Sequence, residues 1–142
     1  MLQNESILLV ADNSGAKKLL VIRCLGGSNR RYSQIGDLVI ASVKESDPKS
    51  PYHKNKGESR VKIVMALVVA TCHSFRRQNN TWIKFSKNYA VLVKSEKKKT
   101  KKGKLKIRVV KEPVGTKISV PLLAEFGQWG YNKILSLAPE VL

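Results

Sequence analysis

Residues 12–31, DNSGAKKLLVIRCLGGSNRR, contain one long apolar segment between two turn sequences. The first turn has side chains that hydrogen-bond to their own backbone and a glycine that accepts positive φ. The segment 17–25 is rich in β-branched and long apolar residues, and its length suits one strand. Side chains alternate along a strand, so Cys24 shares a face with Leu20 and Ile22, and both faces are mostly apolar. We therefore predict a strand from the middle of a sheet.

The second turn, GGSN at 26–29, is followed directly by Arg30 and Arg31. Such a turn can direct backbone N–H groups at a phosphate while the arginines bind neighbouring phosphates. The same residues also suit a solvent-exposed turn with surface arginines. The local sequence leaves both interpretations open, and the rest of the chain has to decide between them.

The charge balance favours a polyanionic partner. Of 142 residues, 27 are lysine or arginine and 10 are aspartate or glutamate, which gives a formal net charge of +17. Self-repulsion of this size opposes compactness unless a partner compensates it. Nucleic acid is the first candidate, an anionic membrane surface the second and an acidic protein the third. The length suits one domain with a buried core.

The residue types that usually carry catalysis or bind metals do not cluster. The acids are scattered, and the chain has no P-loop, G-x-G-x-x-G, H-E-x-x-H or G-x-S-x-G motif. Cys24 and Cys72 form no C-x-x-C pair, so we predict two buried or half-buried structural cysteines and no metal site. His53 is expected in solvent. We therefore predict neither an enzyme nor a cofactor site.

Other apolar segments predict further short strands. The predicted strands are 7–11, 38–45, 60–72 and a hairpin of 81–85 with 89–93. Ala-Leu-Val-Val at 66–69 is apolar on both faces, which predicts a central position. The lysine-rich segment 47–57 is predicted as a loop at a hairpin tip, and Asn79-Asn80 as a turn. We assign about 1–94 to a β-barrel.

Composition changes sharply from Lys94 to Lys111. The stretch 94–111 has a net charge of +9 from nine lysines, one arginine and one glutamate. Residues 97–102 are almost all charged and are predicted to be unstructured in isolation. Apolar and basic residues alternate at 104–109, which predicts an extended arm that becomes ordered on binding RNA.

The last segment, about 113–142, predicts two short helices. Ser119 is expected to cap the first helix and Gly127 to end it. Apolar residues at i, i+3, i+4 and i+7 from Tyr131 predict a second helix that Pro139 stops. Several strands followed by two helices indicate a mainly β fold, a small barrel with a helical appendage, in one domain.

Several motifs resemble one known family in the same order along the chain. They are ADNSGAKKL at 11–19, IRCLGGSNRRY at 22–32, IGD at 35–37, VKE at 43–45, PVGTK at 113–117 and KILSLAPEVL at 133–142. Together they resemble the universal large-subunit ribosomal protein numbered fourteen. The chain departs from the usual family pattern at Asn80, in place of glycine, and at Ala70, where bacterial relatives carry arginine. Relative to the family, the segment at about 95–112 looks like a lysine-rich insertion.

The resemblance implies a five-stranded β-barrel with hairpin extensions and a C-terminal helical segment, at the subunit interface of the large ribosomal subunit. It implies contacts with large-subunit rRNA, with the neighbouring proteins numbered three and nineteen in the bacterial series, and with small-subunit rRNA. Ribosome-silencing factors dock on this family, at positions that match Thr116, Lys117 and Lys133. The ending and the SNRR turn look bacterial or plastid-like. The expected location is a ribosome in a bacterial cytoplasm or an organelle, with a plastid favoured over a mitochondrion.

The predicted mechanism is binding of structured RNA through phosphate, shape and 2′-hydroxyl contacts. Basic residues are expected to bind phosphates around one end of the barrel and along the insertion. Tyr32 and Trp82 are predicted to pack in the core or at an edge instead of stacking on bases. The predicted RNA-binding residues are Lys17, Lys18, Arg23, Ser28, Asn29, Arg30, Arg31, Lys44, Lys54, Arg76, Arg77, Lys98, Lys101, Lys104 and Lys106.

Two other classes of function compete with this interpretation. A free-standing basic barrel, such as a translation factor or RNA chaperone, would need a ladder of exposed aromatics, and aromatic residues are only 6% of the chain. A binder of membrane surfaces or anionic proteins would need a basic amphipathic helix, and the predicted helices carry few charges. The longest uncharged apolar stretch, about 63–75, is shorter than the roughly 20 residues of a membrane span. Without a signal-peptide pattern either, we expect a soluble chain in a reducing compartment.

Overall fold

The computed structural model describes the chain outside residues 54–62, 100, 102 and 104, and for residues 97–99, 105 and 107–109 the description is limited to the backbone. The strands are β1 (Ile7–Val10), β2 (Ala16–Cys24), β3 (Leu38–Ser46), β4 (Ile63–Ala70), β5 (Phe75–Arg76), β6 (Trp82–Ile83), β7 (Tyr89–Lys99) and β8 (Leu105–Pro113). The helices are α1 (Glu125–Gln128) and α2 (Asn132–Ser136). The fold is therefore mainly β, as predicted.

Five of the strands close into a barrel. β1, β2, β3, β4 and β7 follow one another through antiparallel pairing, and a parallel pairing of β7 with β1 closes the ring. The closing pairs are Leu9 with Tyr89 and Val10 with Ala90. Each barrel strand thus has two neighbours, which is how closure removes exposed sheet edges. The prediction of a five-stranded barrel followed by two short helices is confirmed.

The side-chain pattern of β2 differs from simple alternation. Leu19, Val21 and Cys24 are buried, whereas Ile22 is 44% exposed. The pairing of β2 with β3 shifts register between Val21 and Arg23, and this irregularity brings Cys24 to the face that Leu19 and Val21 share. β2 lies between β1 and β3, so the predicted central position is confirmed, whereas the placement of Cys24 on the face of Ile22 is wrong.

Two apolar clusters stabilise the fold. One fills the barrel, and the other packs the outside of β4 and β7 against the C-terminal segment, where Phe126 is fully buried. β4 contributes to both clusters, with Ala66 and Val68 in the first and Leu67 and Val69 in the second. All four residues are buried, so the predicted central position of this segment is confirmed.

The segment after β4 forms a different hairpin from the predicted one. β5 pairs with β6 in a two-stranded sheet, with Arg76 opposite Trp82. Asn80, at a φ of 62°, occupies the left-handed position of the predicted turn. β7 pairs instead with β4, β1 and β8, so the predicted hairpin of 81–85 with 89–93 is wrong. The apolar pattern identified extended segments but not their pairing partners.

β7 and β8 pair beyond the barrel as a long hairpin, with a register that reaches Lys99 opposite Leu105. The extended arm predicted for 104–109 is a strand from Leu105 onward. Residues 97–99 continue β7, although 97–102 were expected to lack structure in isolation. Pairing supplies each strand with backbone hydrogen-bond partners that a lone lysine-rich segment lacks.

The C-terminal segment is less helical than predicted. α1 begins at Glu125, and Ser119 does not cap it, because the Ser119 hydroxyl donates to the Ala11 carbonyl oxygen at 2.9 Å. Gly127 lies within α1 instead of ending it. α2 forms where the spacing from Tyr131 predicts a helix. In the part of the chain that the structure describes, no helix is both long and apolar enough to cross a membrane.

Candidate nucleic-acid interface

An open polar cavity of about 750 Å³ lies beside the turn that follows β2. Its lining residues are Gln3, Asn4, Ile22, Arg23, Asn29, Arg30, Arg31 and Tyr32. Four of the predicted RNA-binding residues therefore meet in one place, and a fifth, Ser28, is exposed in the same turn. The surface concentrates three guanidinium groups around one open space.

Arg30 is engaged by the turn itself. Its Nη1 donates to the Leu25 carbonyl oxygen and its Nε to the Tyr32 carbonyl oxygen, both at 3.0 Å. Its Nη2 forms an ion pair with Asp37. Gly26, at a φ of 110°, leaves room for this guanidinium, because an added Cβ would lie 2.3 Å from Arg30 Nη1. Arg30 therefore fixes the shape of the turn.

Arg23 and Arg31 are the uncommitted cations of the cavity. Both residues are exposed, and neither forms an ion pair or a side-chain hydrogen bond with any residue that the structure describes. A guanidinium group carries five N–H donors in a planar fork that matches a phosphate group. Asn29, at a φ of 56°, completes the turn between them. These two side chains are the cations in the cavity best able to accept an external anion.

The lysines near the start of β2 already have partners. Lys17 pairs with Asp47 and Lys18 with Glu45, each at 2.7 Å. The hydrogen bond to Asp47, together with the charge of that carboxylate, raises the pKa of Lys17. Both pairs are solvent-exposed, and such pairs contribute little to stability, so a competing phosphate can replace the carboxylate. Lys44 on β3 is also exposed.

The two arginines of the β5–β6 hairpin have different partners. Arg76 Nη2 donates to Asn80 Oδ1 at 2.6 Å. Arg77 donates twice to the Glu125 carboxylate, at 2.7 and 3.0 Å, and once to the Leu142 carbonyl oxygen, at 2.8 Å. The hydrogen bonds between them raise the pKa of Arg77 and lower the pKa of Glu125. Arg77 therefore joins the hairpin to the C-terminal segment.

The remaining predicted RNA-binding lysines belong to the lysine-rich insertion and to the loop before β4. Lys101 and Lys106 are exposed. Lys98 lies in β7, where only the backbone is described. Lys54 and Lys104 lie outside the described residues. Neither Lys101 nor Lys106 lines the cavity beside β2, so the structure does not bring the predicted lysines and arginines into a single site.

Two aromatic side chains are more exposed than predicted. Trp82 is 66% exposed, the largest value for a large apolar residue in the part of the chain that the structure describes, and Tyr32 is 45% exposed. In the β5–β6 hairpin, Phe75 and Ile83 pack against the second cluster, while Trp82 lies on the opposite face with Arg76. For Trp82 the prediction of core or edge packing is wrong, because a two-stranded hairpin buries only one of its faces. Tyr32 lies in the lining of the open cavity beside β2.

The predicted partner-docking residues Thr116, Lys117 and Lys133 are exposed but anchored. Asn13 Oδ1 accepts from the backbone N–H groups of Thr116 and Lys117, at 2.8 and 3.2 Å, and Asn13 Nδ2 donates to Thr116 Oγ1 at 2.9 Å. Lys133 forms an ion pair with Glu112, and this hydrogen bond lowers the pKa of Glu112. The sequence pattern singles out neither Glu112 nor the long-range bonds of Asn13. The local bond expected of the DNSG turn is made by Asp12, whose Oδ1 accepts from the Ser14 backbone N–H at 3.0 Å.

The two cysteines have different surroundings. Cys24 is buried and Cys72 is exposed, so the prediction of a buried or half-buried thiol is wrong for Cys72. Cys72 lies in a bend after β4, where its Sγ is 3.2 Å from the Ser86 carbonyl oxygen. His53 is exposed, as predicted. Among the described residues, no group of three or more histidine, cysteine or acidic side chains could hold a metal ion.

The chain forms a closed β-barrel with a strongly basic charge, and uncommitted arginines line one of its surface cavities. These features define the class of basic barrel proteins that are suited to binding a polyanion. The family model described as Ribosomal protein L14p/L23e matches residues 1–142, which is the whole chain. The chain therefore belongs to the L14p/L23e family of ribosomal proteins, and the resemblance of its motifs is confirmed. It is a large-subunit ribosomal protein, and its family consists of structural, rRNA-binding constituents of the ribosome that serve translation.

Proposed function

We propose that this chain is a non-catalytic structural constituent of the large ribosomal subunit and contributes to the interface with the small subunit. The observation that carries the proposal is the whole-chain family match together with a cavity in which Arg23 and Arg31 are uncommitted. A free-standing RNA chaperone would stack successive bases on a ladder of aromatics. Here the exposed Tyr32 and Trp82 line different cavities, which does not favour that alternative.

The proposed phosphate contacts centre on Arg23 and Arg31. Each guanidinium can donate two parallel N–H groups to a phosphate and release the counterions bound there. The backbone N–H groups at Ser28 and Asn29 provide further donors in the same turn. Arg30 orders the turn through its internal bonds, and its own contact with RNA stays a prediction. The arrangement binds the shape and charge of folded RNA without reading base edges.

Further basic residues extend the proposed RNA-binding surface. Lys17 and Lys18 can exchange their exposed carboxylate partners for phosphates, since solvent-exposed pairs contribute little to stability. Arg76 lies on the exposed face of its hairpin, whereas the internal bonds of Arg77 leave it mainly a structural link. The other proposed contacts are Lys44, Lys54, Lys98, Lys101, Lys104 and Lys106.

The proposed partners follow from family membership. They are large-subunit rRNA, the neighbouring proteins numbered three and nineteen, and small-subunit rRNA across the interface. We also propose that Thr116, Lys117 and Lys133 form the dock for a silencing-factor type of protein, supported by their exposure and by the bonds from Asn13. The proposed location is a bacterial ribosome or an organellar ribosome of bacterial type, with a plastid favoured.

Sucrose-gradient sedimentation of a lysate from the source cells, with the chain detected in each fraction at low and high salt, tests this proposal. A structural constituent is expected to travel with the large subunit and to stay through the salt wash, because many buried contacts supplement the phosphate contacts. A chain at the top of the gradient, or one released at modest salt as counterion release predicts, would overturn the structural role.

Charge variants expressed in the same cells test the residues. Arg23→Gln combined with Arg31→Gln should lower the salt concentration at which the chain leaves the subunit. The control combines Lys49→Gln with Lys87→Gln, which removes the same charge from exposed residues outside the proposed surface. If the control dissociates as early as the arginine variant, the phosphate contacts are not local to the cavity.

A further inference from the structure

The outer face of the β5–β6 hairpin presents an unusual pair of neighbours. Trp82 is 66% exposed, although indole rings usually bury most of their surface. Arg76 lies directly opposite Trp82 in the antiparallel pairing and is also exposed. Directly opposite residues project from the same face of a sheet. A flat aromatic surface and a guanidinium group therefore share one solvent-facing patch.

This patch forms one side of a cavity of about 250 Å³. Hydrogen-bonding groups from two other segments, Gln34, Thr71 and His73, line the same cavity. The Thr71 hydroxyl donates to the His73 carbonyl oxygen at 3.0 Å, which leaves its oxygen free to accept a second bond. The cavity thus combines one stacking surface with hydrogen-bonding groups, and Met1 and Phe75 add apolar contacts to its lining.

Several contacts hold the patch in a fixed position. Arg76 Nη2 donates to Asn80 Oδ1 at 2.6 Å, which fixes the guanidinium beside the turn. On the opposite face, Phe75 contacts Trp129 edge to face, with ring centroids 6.4 Å apart. Arg77 ties the same hairpin to Glu125. A surface fixed in this way loses little conformational entropy when a ligand binds.

We infer that Trp82 is the stacking platform for one unpaired base of RNA, with Arg76 binding an adjacent phosphate. Every base offers a π face to an indole ring, and a neighbouring cation adds attraction for the backbone. The exposed guanidinium of Arg76 beside the indole and the net charge of +17 favour RNA over an apolar protein segment as the occupant. This site is separate from the cavity beside β2, and the inference rests on the proposed function in rRNA binding.

Indole fluorescence tests the inference directly. Trp129 is replaced by phenylalanine, which retains an aromatic ring against Phe126 and Phe75, so that Trp82 is the only tryptophan and can be excited selectively over the tyrosines. The full chain is titrated with deproteinised large-subunit rRNA, and acrylamide reports the accessibility of the indole. Stacking should quench the Trp82 emission and protect the ring from acrylamide in the complex.

Binding measurements on variants that retain Trp129 provide a second test. Trp82→Ala should weaken rRNA binding by about 5- to 150-fold, the range seen when an aromatic stacking partner is removed, whereas Trp82→Phe should keep most of the affinity. Ile63→Ala is the matched control, because Ile63 is also exposed, at 63%, but lies on β4. Ultraviolet cross-linking of the unmodified chain to rRNA, mapped by mass spectrometry, checks the same contact without any substitution.

The outcomes separate the inference from the proposed function. A chain that binds rRNA while Trp82 stays accessible, or a Trp82→Ala variant that binds like Ile63→Ala, overturns only the base-stacking site. Protection of Trp82 in intact subunits but not in the complex with rRNA alone would identify a protein partner and would also overturn it. Failure of the parent chain to bind rRNA would overturn the proposed function and this inference together.

Discussion

Arg77 Nε lies 2.7 Å from Glu125 Oε1, and Arg77 Nη2 lies 3.0 Å from Glu125 Oε2, so the two residues form a bidentate ion pair across a long separation in the chain. The Arg77 side chain is 19% exposed and the Glu125 side chain 9%. Such low exposure limits screening by solvent, and two parallel hydrogen bonds restrict the geometry. The pair connects the β5–β6 hairpin to α1, so these two elements are coupled over the second apolar cluster.

Glu125→Gln should destabilise the chain more than the loss of an ordinary surface pair. The change leaves a half-buried guanidinium without a counter-charge, and we expect the free energy of unfolding to fall by about 2–3 kcal/mol, between the values for exposed and buried pairs. Glu45→Gln is the control, because it breaks the exposed pair with Lys18 and should cost about 1 kcal/mol or less. Urea denaturation at neutral pH measures both, and equal losses would contradict the prediction.

The same pair makes stability depend on acid. The hydrogen bond from Arg77 lowers the pKa of Glu125 below its ordinary value of 4.5 in the folded chain. Between the two pKa values the unfolded chain binds the extra proton, so the stabilisation is complete above 4.5 and is lost as the pH falls through the folded pKa. The difference in unfolding free energy between the parent and Glu125→Gln should therefore shrink below pH 4.5. A difference that stays constant down to pH 3 would contradict this.

Gly36→Ala should disrupt the contact between the barrel and the C-terminal segment. Gly36 has a φ of 93°, and an added Cβ would lie 2.6 Å from Trp129 Cζ3. Left-handed strain and overpacking together should lower the free energy of unfolding by about 2–4 kcal/mol. Gly27→Ala is the matched control, since nothing lies within 4 Å of its Cβ position. Thermal unfolding should place the control near the parent and Gly36→Ala well below it.

Asn13→Ala should loosen the segment proposed as a protein dock. The Asn13 amide accepts from the backbone N–H groups of Thr116 and Lys117, and without it those groups lose their side-chain acceptor. Hydrogen exchange of these two amides should become faster, while the barrel strands keep their protection. Asn4→Ala, a change at an exposed amide outside that segment, should leave both rates unchanged. Unchanged exchange in Asn13→Ala would show that other contacts order the segment.

The two thiols should differ in reactivity with a thiol reagent such as dithionitrobenzoate. Cys72 is exposed and Cys24 is buried, where Cys24 Sγ donates to the Leu2 carbonyl oxygen at 3.8 Å. One equivalent should react in the native chain and two in the unfolded chain. Cys72→Ser should abolish the fast reaction and leave the slow one. Rapid modification of Cys24 in the native chain would show that the barrel opens easily.

The sequence predicts the structure well where several neighbouring residues favour the same local conformation. The run at 66–69 is apolar on both faces and belongs to both clusters, because β4 has the barrel interior on one side and the C-terminal segment on the other. The turn predicted for GGSN is also present, since glycine and asparagine readily accept the left-handed backbone seen at Gly26 and Asn29. Local chemistry was sufficient in both cases.

The sequence pattern is not sufficient where the exposure of a side chain depends on contacts between residues that are distant in the chain. Nothing near Trp82 shows that its short strand has only one face against the core, so its exposure was missed. A one-residue irregularity in β2 reverses the face of Cys24, and sequence alternation carries no sign of it. Arg30 fixes the turn whereas Arg31 is uncommitted, and this difference depends on the position of Asp37, which pairs with Arg30. These are properties of tertiary structure.

The parallel pair that closes the barrel joins Leu9 to Tyr89, so the first strand to be synthesised meets its last neighbour only after more than half of the chain has been made. At cellular synthesis rates of about 5–20 residues per second, this delay lasts roughly 4–16 seconds. Folding that depends on such distant contacts is also intrinsically slow. During this interval the turn that carries Arg30 and Arg31 has already been synthesised, but β1 has not yet paired with β7. Completion of the barrel is therefore a late event that either precedes or accompanies assembly into the particle.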